Sequence, residues 1–183
     1  MLLALMTLLT GCETEPEDEN NLVTPTAAET ELYNLIMNYR AELQLPEIPL
    51  SSSLSYVAQQ HVNDLQENNP VTSTCNLHSW SDNGNWTACC YTSDHAQASC
   101  MWDKPRELTE YTGNGYEIAY YGQANATPAG ALNIWKTSQG HNNVIINAGS
   151  WTTPWKAIGV GIRGNYAVVW FGHEDDPAGS PTP

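Results

Sequence analysis

The chain has 183 residues, with 20 Asp and Glu against 6 Lys and Arg, a formal net charge of −14. A surface this acidic repels phosphate backbones, so nucleic acid is excluded as a general partner. A hydrophobic content of 41%, with seven Trp and nine Tyr, supplies a packed core and excludes disorder for most of the chain. The length suits one domain.

The charge is uneven. Glu13, Glu15, Glu17, Asp18 and Glu19 form one run, and Glu174, Asp175 and Asp176 another; taking these eight from the −14 leaves −6 for everything between. Like-charge blocks of this kind read as solvated tails. Residues 1–12 are an apolar run of about the length of a signal peptide's core, too short to span a bilayer. Its ending, Leu9-Thr10-Gly11-Cys12, resembles a bacterial lipobox, in which Cys12 would be diacylated and become the new N-terminus. The rival reading is a secretory signal in which Cys12 is incidental. A lipobox implies an extracytoplasmic protein held to a bacterial membrane at Cys12, and multiple acyl chains give stable anchoring. Residues 13–26 then read as an acidic flexible tether, 27–173 as the folded domain, and 174–183 as an acidic, Pro-containing tail.

In chain order, Leu32, Leu35, Ile36, Tyr39 and Leu43 mark one face of a helix that begins near Thr24–Thr26 and ends before Pro46. Leu54, Val57, Ala58, His61, Val62 and Leu65 mark a second, with Ser51–Ser53 as caps and Asn68-Asn69-Pro70 as its stop. Residues 71–105 lack periodicity but hold Cys75, Cys89, Cys90 and Cys100. Four thiolates can hold zinc, yet adjacent cysteines suit tetrahedral ligation poorly and an exported chain favours oxidation. A vicinal bridge is strained, so one bond from Cys75 and one from Cys100 to the Cys89–Cys90 pair is expected, with both pairings open. A third helix is predicted from about Pro128 to Ser138, and strands at Tyr116–Tyr121, Ala157–Arg163 and Tyr166–Phe171, the last two joined at Gly164-Asn165. Early helices, late strands and a helix between them predict an α+β fold with helices packed on an antiparallel sheet. Gly159-Val160-Gly161-Ile162-Arg163-Gly164 matches G-x-G-x-x-G, but a strand follows where a dinucleotide site needs a helix; the glycines read as close packing or a tight bend.

Of five histidines, His61 lies on an apolar helix face and reads as a hydrogen-bonded core residue. His173 adjoins the acidic end and reads as exposed, and His95 sits between cysteines where it could rim a site. His78 and His141 stand among polar residues at element ends, where sites tend to be built. The aromatic stretch Trp80, Trp86, Tyr91 and Trp102 reads equally as ligand contact or as packing for an irregular loop.

Several stretches carry a resemblance, in order: Asn38-Tyr39-Arg40-Ala41-Glu42 with Leu45-Pro46; Leu54, Ala58 and His61; Leu77-His78-Ser79; Gly115-Tyr116-Glu117-Ile118-Ala119; Trp135-Lys136-Thr137-Ser138-Gln139-Gly140-His141; and Ile158–Gly161 with Val168–Gly172. From about Glu31 to Gly172 the chain resembles the CAP superfamily of cysteine-rich secretory, antigen 5 and pathogenesis-related 1 proteins, in its bacterial SCP-like form. The resemblance implies a three-layer α/β/α sandwich around a mainly antiparallel sheet. It also implies a cavity lined by two histidines, here His78 and His141, and up to two acidic residues, with a divalent metal bound in some relatives. Registering the strand on Ile118-Ala119 puts Tyr116 at the family's Glu, so Glu117 would need a local bulge to face inward. Ser138 stands where plant and animal relatives carry the second acid.

Two imidazoles and a carboxylate make a plausible open site for a divalent cation, zinc or magnesium, with His78, His141 and Glu117 as ligands. The reading reached from these residues is a non-enzymatic, lipid-anchored binding module without a fixed cofactor. Its ligand would be a lipid, an envelope glycan or a protein. The alternative is a metal-dependent extracellular hydrolase acting on peptide or cell-wall material.

Overall fold

The structure, a computed structural model, describes residues 23–181. Cys12, the lipobox and the acidic run at 13–19 lie outside the described residues. Helices α1 (Ala27–Glu42) and α2 (Ser52–Asn68) are followed by two short ones, α3 (Ala98–Trp102) and α4 (Lys104–Leu108). Then come strand β1 (Gly115–Tyr121), helices α5 (Pro128–Thr137) and α6 (Gln139–Ile145), and strands β2 (Ala157–Arg163) and β3 (Tyr166–Gly172). Local chemistry sets the long helices. Thr26 and Glu29 form a capping box that opens α1. Ser51 accepts from the Leu54 amide at the start of α2, and Asn69 ends that helix in the left-handed conformation. Pro128 opens α5 behind the Thr127 cap.

The sheet is antiparallel throughout, in the order β1-β3-β2, and both its faces are covered. Ile118, Ile158, Val160, Val169 and Phe171 face a core shared with α1, α5 and α6. Ala119, Ala157, Val168 and Trp170 face α2 and the disulfide-bearing segment. The result is the expected helix–sheet–helix sandwich. The glycines of the apparent dinucleotide motif have a packing role. A Cβ on Gly159 would lie 2.0 Å from the Leu54 backbone, and one on Gly161 2.4 Å from the Ala58 carbonyl oxygen. Their bareness lets α2 lie against β2 at backbone distance.

Three helices escaped the sequence reading. At five to seven residues, α3, α4 and α6 are too short to display a period. The predicted third helix stops one residue early because Ser138, at φ −94° and ψ 112°, ends α5 and starts α6. Within the acidic end expected to be solvated, Asp176 is tied to the fold, while Glu174 and Asp175 are exposed. The Asp176 carboxylate accepts hydrogen bonds from Ser51 Oγ (2.5 Å), Ser53 N (2.8 Å) and Ser53 Oγ (2.8 Å), and the Gly179 carbonyl accepts from Ser52 N (2.9 Å). The unpaired amides and positive dipole end of α2 attract an anion, and Asp176 is the one that reaches it. The cysteines pair as Cys75–Cys90 and Cys89–Cys100.

Candidate functional site: a cavity closed by an imidazole–carboxylate network

Three chain segments that are distant in sequence meet beside β1. Glu117 lies on β1 opposite Trp170 of β3, in a ladder that runs without interruption from Gly115↔Gly172 to Tyr121↔Tyr166. Its side chain is fully buried on the α2 side of the sheet. No bulge is needed to turn it inward, contrary to the expectation from the Ile118-Ala119 register. Strand alternation sends Tyr116 to the opposite face, where it packs on Trp151, Trp155 and His173.

Both carboxylate oxygens of Glu117 are engaged. Oε1 meets Nδ1 of His61 from α2, and Oε2 meets Nδ1 of His78 at 2.7 Å. The other nitrogen of His61, Nε2, donates to the Ser79 carbonyl oxygen at 3.0 Å, since a carbonyl can only accept. His61 is stacked on Trp80 with centroids 4.3 Å apart and is wholly buried. Burial opposes ionisation of the Glu117 carboxyl, but the His61 charge, the His61 hydrogen bond and then His78 outweigh it and hold the carboxyl below its ordinary value. Glu117 is thus the acceptor in this contact, and both His61 nitrogens face oxygen acceptors.

His78 is placed by the stapled loop. Its amide donates to Asn76 Oδ1 (3.0 Å), the Asn76 amide donates to the Tyr91 carbonyl (2.8 Å), and the Tyr91 amide donates to Ser79 Oγ (2.9 Å). The Cys75–Cys90 bridge joins the same two strands of chain. His141 rides on α6, which is fixed from three sides. Arg40 donates to the Ile145 carbonyl and to Asn147, Tyr39 Oη to Asn142 (3.0 Å), and Trp155 Nε1 to the Val144 carbonyl (2.8 Å). The Nδ1 of His141 is buried with no hydrogen-bond partner among the described residues. Burial, and then the charge of His78, press its pKa below the ordinary value and favour the neutral ring.

His78, Glu117, Ser138 and His141 all line one cavity of about 460 Å³, within the roughly 300–1,000 Å³ range of small-ligand sites. Its body is apolar and aromatic, with Met101 and Trp102 from α3, Val144 from α6 and Trp151 beyond. The short helix α3, which the sequence did not signal, thus supplies three lining residues, Ala98, Met101 and Trp102. Tyr91 also lines the cavity, and its hydroxyl bonds His95 Nδ1 at 2.9 Å, so His95 does rim the site. The aromatic stretch divides: Tyr91 and Trp102 face the cavity, whereas Trp80 is core, stacked on His61 with Trp86 edge-on to it. His173 is half-buried rather than exposed, stacked on Trp155 at 4.2 Å.

Among the described residues, no three His, Cys, Asp or Glu side chains are gathered to hold a metal ion. The expected ligand set of His78, His141 and Glu117 is not gathered as one donor group, and each Glu117 oxygen meets an imidazole nitrogen. A protein zinc centre ordinarily uses at least three protein ligands. The donors present therefore do not fit one; Glu117 orients His78 instead of presenting a free oxygen.

The family model for the cysteine-rich secretory protein (CAP) family matches residues 33–166. The chain belongs to that family. Among solved structures it is similar to an outer surface protein from Borrelia burgdorferi, at 19% identity and a TM-score of 0.57, over 84% of this chain and 97% of that one. It is also similar to an extracellular protein containing a SCP domain from Bacillus anthracis, at 17% identity and a TM-score of 0.57, over 80% of this chain and 40% of that one. A cysteine-rich secretory protein from Staphylococcus aureus matches at 15% identity and a TM-score of 0.52, over 82% of this chain and 41% of that one. At these identities the likeness concerns the fold. No curated protein sequence matches the chain.

Proposed function

We propose that this is an extracytoplasmic binding module whose cavity takes a small, apolar-bodied molecule with a polar end, of which a lipid is the leading class. The observation that carries this reading is the lining itself: an apolar and aromatic body ending at His78, Ser138 and His141. Such a site buries a hydrocarbon or ring system and selects orientation through a few polar groups. Glu117 keeps the His78 ring fixed, so its outer nitrogen is offered to the ligand in one direction. No metal is required in this reading.

The extracytoplasmic placement is supported by the two disulfides, which persist in oxidising compartments, and by relatives described as outer-surface, extracellular or secretory. No described helix is long and apolar enough to cross a membrane. Attachment is assigned to acylated Cys12. Cys12→Ser is expected to move the protein from the membrane fraction to the soluble one; unchanged fractionation contradicts the anchor.

Trp102 and Trp151 provide the readout for the cavity, since both line it. Titration with dodecanol is expected to change tryptophan emission saturably, and His78→Ala with His141→Ala to weaken the response by about tenfold, a difference of ~1.4 kcal/mol. A flat titration in the wild type contradicts the reading. A second reading, an extracellular hydrolase acting on peptide or cell-wall material, rests on the carboxylate-oriented His78, the arrangement used by general bases. Turnover of peptidoglycan fragments that disappears in His78→Ala would favour it over binding alone.

A further inference from the structure

We infer that a second groove, at the far end of β1, is a binding site for a neutral saccharide. It lies where the C-terminal end of α2 meets the β1–β3 ladder, has a volume of about 570 Å³, and shares no lining residue with the cavity around His78. Tyr121 and Tyr166 stand directly opposite each other in the ladder, their rings 5.3 Å apart and tilted by 51°. Tyr121 is 48% exposed, one of the few large hydrophobic side chains left in solvent. Around this aromatic pair are Gln66, Asn69 and Asn165, over a floor that includes Leu65.

Three observations fix the ligand class. No charged residue lines the groove, so it offers a counter-charge to neither an anion nor a cation. The chain's −14 further disfavours an anion. Among the described residues, the Tyr121 and Tyr166 hydroxyls and the Asn69 and Asn165 side-chain amides make no protein hydrogen bond. Gln66 spends only its oxygen, accepting from Asn165 N at 3.1 Å, which leaves its amide donors free. Amide donors and acceptors beside an aromatic face are what a pyranose needs: the ring's C–H face packs on the aromatic surface while its hydroxyls bond the amides.

The experiment is chemical-shift mapping of the ¹⁵N-labelled domain with cellotetraose, maltotetraose and N-acetylchitotetraose, with an oligogalacturonate as the anionic control. At least one neutral oligomer is expected to shift amides of residues 65–71, 121 and 165–166 saturably, while the control does not. Tyr121→Ala alters an exposed side chain, and Asn69→Gly deletes an amide while keeping a backbone at φ +46° that glycine adopts freely. Each is expected to weaken that binding by about tenfold. Absence of shifts with all three neutral oligomers overturns the proposal. So do shifts confined to residues around His78 and His141, or affinity unchanged in both variants. A failed dodecanol titration leaves this inference standing, because the two sites share no residue.

Discussion

Glu117 connects the buried polar chemistry of the protein to its cavity. One carboxylate holds two imidazoles, His61 behind it and His78 in front, and only His78 reaches the cavity. Removing a buried hydrogen-bonding partner leaves the facing imidazole groups unsatisfied, at a cost of about 1–3 kcal/mol. Glu117→Ala is therefore expected to lower unfolding free energy by that amount near neutral pH, measured by urea denaturation. The pH dependence follows from the depressed carboxyl. The contribution of Glu117 is fully present above the ordinary glutamate value of 4.5 and is lost as pH falls through the lower folded-state value. The gap between wild type and variant should narrow only in that acid range. A gap already closed at pH 6 would contradict the buried carboxylate.

At the scale of elements, the sequence showed which segments fold but not how they are joined. The long helices and the hairpin were legible because capping residues, a 3.6-residue period and strand alternation are local signals. The short helices were not, and α6 matters most, since it carries His141 and is held by Arg40, Tyr39 and Trp155 through contacts across the fold. The start of α2 gives a similar case. Ser51–Ser53 were readable as caps, but their anionic partner Asp176 comes from the other end of the domain. Asp176→Ala is expected to cost about 1–2 kcal/mol, the usual scale of a lost helix cap. Thermal unfolding checks it, with Asp175→Ala, whose carboxylate meets only the exposed Lys156, as the near-neutral control.

For the whole molecule, the cavity sits at the seam between the sheet, α6 and the disulfide-stapled loop, and no single segment announces it. His78 and His141 are legible in the sequence from their polar surroundings and the family resemblance. Their meeting depends on the fold. The resemblance also set the strand register one residue away from the inward-facing position, and only the regular β1–β3 ladder shows Glu117 on the α2 side. On that face each Glu117 oxygen meets an imidazole nitrogen, one from His61 and one from His78. Acidity divides along the same lines, with Asp176 and Glu117 built into the fold. The proposed binding of an organic ligand through His78 and His141 needs no metal. Calorimetric titration of the wild-type protein with dodecanol, before and after exhaustive chelation with EDTA, tests it most directly. Saturable binding with the same affinity in both states is expected; binding that vanishes on chelation and returns with zinc would overturn the metal-free reading.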